Sequence, residues 1–199
     1  MFNPRLVLAA FATVVLAAAC RPEPPPPAAP EPTGPTAEEI EAQRIADSIE
    51  NARRLEAEAL AAAQRAEREM QQRAAAARAT LGEMVYFDYD ESTLTSETTR
   101  TLQAKLAVLR SCPSVRLRME GHADERGTSE YNIALGSERA QSVSEFFTGF
   151  GLDDARFSTV SYGEERPVAQ GSNEAAWARN RRVEFVITTG ADDLGRCQS

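Results

Sequence analysis

Between Ala37 and Thr80 the chain contains neither glycine nor proline and is built mainly from Ala, Glu, Arg and Gln. These are strong helix formers. The stretch therefore predicts one continuous helix, which at 1.5 Å per residue would extend about 65 Å. Thr36-Ala37-Glu38-Glu39 fits a capping box, with the carboxylate three residues after the hydroxyl. The larger apolar residues (Ile40, Ile45, Ile49, Leu55, Leu60, Met70 and Leu81) do not sustain a heptad. Pairs such as Glu50 and Arg54 at i,i+4 suit a solvated helix. A charged single helix and a weakly self-associating one both remain open. In either case, a globular core has to come from the residues beyond Leu81.

The segment before the helix cannot supply a core. Arg21 to Pro35 reads RPEPPPPAAPEPTGP. Proline at that density fixes φ and removes donors, so residues 20–36 predict a disordered, semi-rigid spacer. Upstream, Arg5 precedes the uncharged run Leu6–Ala19. That run is shorter than the roughly 20 apolar residues that span a bilayer. It matches the apolar core of an export signal covering residues 1–19. Leu16-Ala17-Ala18-Ala19-Cys20 resembles a bacterial lipobox, with Ala17 where Leu is usual. Cys20 is thus the expected lipidation site, and the lipid is expected to anchor the chain in a membrane. Arg21 stands where Asp is the usual inner-membrane retention signal of lipoproteins, which points to the outer membrane, facing the periplasm.

From Leu81 the pattern changes to alternating elements. Met84–Phe87 reads as a strand. Thr95–Arg110 is an amphipathic helix with Leu102, Leu106 and Leu109 at helical spacing. Val115–Glu120 alternates as a second strand and leads into a polar loop, Gly121–Gly127. Asn132–Phe150 reads as another helix. Phe157–Tyr162 is a strand, a loop runs through Pro167 and Gly171, and Arg182–Thr188 is a last strand. The order β-α-β-α-β-β predicts an α+β domain at residues 81–190, with one mixed sheet covered on one face by two helices. Residues 191–199 remain as a tail.

Within this domain, Gly121-His122-Ala123-Asp124-Glu125-Arg126-Gly127-Thr128, then Glu130-Tyr131-Asn132, Ala134-Leu135-Gly136 and Arg139-Ala140, resemble the signature of the OmpA C-terminal-like domain family. Ser161-Tyr162-Gly163-Glu164-Glu165-Arg166-Pro167 and Asn180-Arg181-Arg182-Val183-Glu184 continue the likeness, which covers roughly residues 83–188. The Asp-Glu-Arg-Gly-Thr and Tyr-Gly-Glu-Glu-Arg-Pro forms are most similar to the peptidoglycan-associated lipoprotein (Pal) branch of that family. The resemblance implies a non-catalytic domain that binds the diaminopimelate of the peptidoglycan stem peptide. It implies Asp124 for the ligand ammonium and Arg139 for its carboxylate. Asp88, Asn132 and Arg182 are implied as further polar contacts, with Tyr131 and Leu135 shaping the pocket. The alternative for Asp88 and Asn132 is a capping role, and for Arg182 a structural ion pair. The same branch implies partnership with TolB and other Tol proteins in envelope integrity and cell division. An alternative is a lipoprotein of this family outside the Tol system, whose helical arm binds another envelope partner.

Other classes fit poorly. The net charge is −8 and Lys105 is the only lysine, so no basic excess is available for nucleic acid. His122 is the only histidine. It is expected to be a structural turn residue, with neither metal nor cofactor, because a zinc site usually takes three or four protein ligands. No nucleophile and base pair accompanies it, so no enzyme is expected. Cys112 and Cys197 are left beyond Cys20. In an oxidising compartment they could form a disulfide or remain thiols.

Overall fold

The computed structural model describes residues 34–197. The proposed export segment, Cys20 and most of the proline spacer lie outside the described residues. The chain divides into two compact units, residues 1–52 and 53–199. In the first, the described part is the opening of helix α1 (Ala37–Gly82). Its start is a reciprocal capping box. The Thr36 backbone N–H donates to Glu39 Oε2 at 2.7 Å, and the Glu39 N–H donates to Thr36 Oγ1 at 3.3 Å. Ile40, Ile45 and Ile49 are exposed. Among the described residues, no helix is long and apolar enough to cross a membrane.

The second unit begins with the rest of α1. Ala74, Ala77 and Leu81 turn toward a core completed by β1 (Val85–Tyr86), α2 (Ser96–Ser111), β2 (Arg116–His122), α3 (Ser129–Gly149), β3 (Phe157–Gly163), α4 (Glu174–Asn180) and β4 (Arg182–Thr189). The sheet order is β1-β4-β2-β3. β2 and β3 run parallel, and the other two neighbouring pairs are antiparallel. The domain is therefore α+β with one mixed sheet, as its element pattern predicts.

Alternation explains which face is covered. Leu117 and Met119 of β2, with Val183 and Phe185 of β4, point into the core. There they meet Leu102, Leu106 and Leu109 of α2 and Ala140, Val143 and Phe147 of α3. Each such large side chain contributes about 1.5–3 kcal/mol on burial. The intervening residues Arg118, Glu120, His122, Arg182 and Glu184 occupy the opposite face.

Two local differences from the sequence reading matter for the site. His122 is not in a turn but ends β2, because pairing with β3 continues to Gly163. The segment before the last strand is not all loop. It contains α4, capped by Asn173, whose side chain accepts from the Ala176 N–H. Seven residues make barely two turns, too few to show a helical period.

The close packing of α3 on the sheet depends on two glycines. A Cβ on Gly121 of β2 would land on the Gly136 carbonyl of α3. A Cβ on Gly136 would strike the Ser161 hydroxyl and come within 3.0 Å of the Gly121 carbonyl oxygen. With both residues lacking a side chain, the first turns of α3 lie directly against the end of β2.

Candidate functional site

The loop leaving β2 turns at Asp124, and Thr128 ends it by capping α3, its Oγ1 accepting from the Tyr131 N–H. Gly127 adopts a φ of 109°, which a side chain would disfavour. The Asp124 carboxylate is 4% exposed and fully engaged. Its Oδ1 accepts from the Arg126 backbone N–H (3.1 Å) and Nε (2.9 Å). Its Oδ2 accepts from Arg126 Nη2 (2.7 Å) and Arg181 Nη1 (3.3 Å). Burial alone would raise its pKa, but these four bonds outweigh it and hold the carboxyl below the usual value. Asp124 is therefore an anion at neutral pH.

Arg126 is in turn held flat between two rings. Its guanidinium carbon lies 3.9 Å from the Tyr89 centroid and 4.2 Å from that of Trp177. Trp177, on α4, donates from Nε1 to Glu125 Oε1 at 3.1 Å. Arg181, just past α4, also donates to the Phe87 carbonyl (3.0 Å) and to Glu174 Oε1 (2.7 Å).

Arg139 stands on α3, facing the same loop, and is wholly buried. Its Nε donates to the Glu91 carbonyl (2.8 Å), Nη1 to the His122 carbonyl (2.9 Å) and Nη2 to the Asp88 carbonyl (3.0 Å). Burial, then the nearby Arg181, lowers its pKa to about 10, while Asp124 and Asp90 act in the opposite direction. It remains a cation at neutral pH. Three of its five N–H groups are accounted for by these carbonyls, so the fork retains donor capacity.

A cleft of about 200 Å³ opens between the loop and α3. It brings together five of the seven residues singled out in the sequence: Asp124, Tyr131, Asn132, Leu135 and Arg139. Asn132 is buried and donates from Nδ2 to Glu164 Oε2. The Tyr131 hydroxyl donates to Asp90. Leu135 forms apolar wall. The other two are placed elsewhere. Asp88 offers its backbone carbonyl to Arg139 and lines a separate groove beside β1. Arg182 is buried on the sheet face away from α2 and α3, bonded to Glu184 and to the carbonyls of Asn180 (3.3 Å) and Arg166 (3.0 Å). Cys112 and Cys197 are joined as a disulfide, with Cα atoms 5.1 Å apart, and do not line the cleft.

The sequence reading did not single out Arg126, Tyr89, Asp90, Trp177 or Arg181. Arg126 was within reach, since an Asp followed two residues later by Arg readily closes a bidentate turn. Trp177 was concealed in a segment read as loop.

The OmpA family sequence model matches residues 86–181. A relative titled peptidoglycan-associated lipoprotein from Haemophilus influenzae is 47% identical over 99 residues, which span 50% of this chain and 65% of that protein. One with the same title from Pseudomonas aeruginosa is 48% identical over 100 residues, spanning 50% of this chain and 59% of that one. The chain thus covers less than two thirds of the length of these curated relatives. The crystal structure of the peptidoglycan-associated lipoprotein from Burkholderia pseudomallei has 43% sequence identity and a TM-score of 0.51, and the match covers 53% of this chain and 89% of that one. The region matched by the family model contains α2, β2, the Asp124 loop, α3 and β3, and with 43% identity to a solved relative that is covered over 89% of its length, the chain belongs to the OmpA family.

Proposed function

We propose that the Asp124 cleft binds peptidoglycan non-covalently, through the diaminopimelate of its stem peptide. The free end of diaminopimelate carries an ammonium and a carboxylate on one carbon. A receptor for it needs an anion and a cation side by side, and one cleft lined by Asp124 and Arg139 supplies that pair. This juxtaposition carries the reading. Asp124 takes the ammonium and Arg139 the carboxylate, while Asn132, Tyr131 and Leu135 fix the side chain between them. Asp124 is already engaged by Arg126 and Arg181, so an incoming ammonium shares or displaces one of them. Modest affinity results. The names of the relatives support peptidoglycan as the ligand.

The wider role comes from the two ends of the chain. A lipid on Cys20 anchors it in the outer membrane, and the domain holds the cell wall without chemical change. TolB and the other Tol proteins are the proposed partners.

The test is co-sedimentation of the chain with purified walls whose stems carry either diaminopimelate or lysine, with free meso-diaminopimelate as competitor. Sedimentation only with the first wall, reversed by the competitor and lost in Asp124→Asn, is the expected result. Equal binding to both walls, or undiminished binding by a folded Asp124→Asn variant, would sink the assignment. Capture of TolB by the full chain tests the Tol partnership separately.

A further inference from the structure

The face of the sheet away from α2 and α3 carries an arrangement that wall binding does not use. Glu120 of β2 and Glu184 of β4 are directly opposite in the antiparallel register. Like charges at such positions destabilise a sheet. His122 lies two residues along β2 on the same face, 2% exposed, and neither ring nitrogen has a hydrogen-bond partner. Leaving a buried polar group unpaired is unfavourable. Its Nε2 faces Glu184 Oε1 at 3.7 Å. One donor atom from each of Glu120, His122 and Glu184 lies within 4.8 Å of the other two.

We propose that these three residues form a binding site for a divalent transition ion of the zinc class. One imidazole nitrogen and two carboxylate oxygens form a donor set suited to zinc, with water completing the shell. It is too small for calcium, which takes six to eight oxygens. Bonds of about 2.0–2.2 Å require the donor atoms to draw somewhat closer than they are, which side-chain rotation can provide. The glutamates are already oriented. Arg118 donates from Nε to Glu120 Oε1 at 2.8 Å, and Arg182 from Nε to Glu184 Oε1 at 2.7 Å. Such outer partners are the usual means of aiming a ligating carboxylate. The ion offsets the repulsion between the glutamates and gives the imidazole the partner it lacks. The two arginines partly neutralise the carboxylates, so the site is weaker than a dedicated zinc centre. The ion ties β2 to β4 at His122, the residue whose carbonyl seats Arg139 Nη1. Nothing in this inference depends on what the Asp124 cleft binds.

His122 is the only histidine, so its ring signals in a proton–nitrogen NMR spectrum report this site alone. The chelator-stripped full chain is titrated with zinc chloride, with magnesium chloride as control. The expected result is a saturable shift of the His122 ring resonances with zinc only, together with a raised Tm. Glu120→Gln and Glu184→Gln keep an oxygen acceptor for their arginines. Each is expected to weaken zinc binding by at least about tenfold. Ring signals unmoved by zinc would overturn the proposal, even if calorimetry detects zinc on exposed carboxylates elsewhere. So would an identical shift in both folded glutamine variants. If neither variant folds, the wild-type ring signals decide alone.

Discussion

At the scale of single residues, the cleft is held together by ions that satisfy one another. Asp124 and Arg139 were legible in the sequence because a loop motif and a helix position carry them. The rest of the network was not, because Tyr89 and Trp177 come from segments far from the Asp124 loop in sequence and meet Arg126 only in the fold. The burial of Arg139 has a direct consequence. Its removal strips the carbonyls of Asp88, Glu91 and His122 of a charged donor at once. Arg139→Ala is therefore expected to cost about 3–5 kcal/mol in urea unfolding, so lost wall binding in that variant would not isolate a ligand contact. Asp124 gives a pH signature. Its folded pKa lies below its unfolded value, so its contribution is present above about 3.9 and is lost as pH falls through the folded pKa. The Tm difference between the wild type and Asp124→Asn should be largest near neutrality and shrink below about pH 4. A difference that stays constant down to pH 2 would show that the carboxylate gains nothing from Arg126 and Arg181.

At the scale of elements, the residue pattern identified α1 by its glycine- and proline-free composition, α2 and α3 by helical spacing, and four strands by short β-type or alternating runs. It could not reveal α4, which is shorter than a helical pattern needs, nor the extension of β2 to His122, which the register with β3 imposes. Nor does period show how closely a helix approaches a sheet. The contact between Gly121 and Gly136 sets that approach, and α3 carries Tyr131, Asn132, Leu135 and Arg139 into the cleft. In Gly136→Ala the new methyl meets the Ser161 hydroxyl and the Gly121 backbone, and backbone cannot swing aside as a flexible side chain can. Overpacking of this kind costs about 1–3 kcal/mol. The variant should lose that much stability and also bind the wall less tightly, because all four residues shift together. A stable variant with unchanged wall binding would mean that the cleft does not depend on this contact.

At the scale of the molecule, the domain is closed by its own tail. After β4 the chain turns through Gly190, with φ of 80°, and returns to the end of α1. Arg78 donates to the Ala191 carbonyl at 2.9 Å, Leu194 is 2% exposed in the core, and Gly195 lies against Met70. The same end of α1 is capped by Lys105, whose Nζ donates to the Thr80 (2.7 Å) and Leu81 (2.9 Å) carbonyls beneath the Phe185 ring. The Cys112–Cys197 bond, across a sequence separation of 85, fastens the tail in this position. A crosslink closing a loop of that length contributes typically about 2–4 kcal/mol, largely by restricting the unfolded chain. Reduction should therefore lower the Tm, but its local effect is the more telling one. With the tail untied, amides in residues 70–82 lose the packing of Leu194 and Gly195 and should exchange hydrogen faster. Amides of β2 and α3 around Asp124 lie away from the bond and should keep their relative protection. Wall binding should then survive reduction at temperatures well below the lowered Tm. If the cleft opened as early as the tail, the disulfide would be holding the whole domain and not just the junction between the tail and α1.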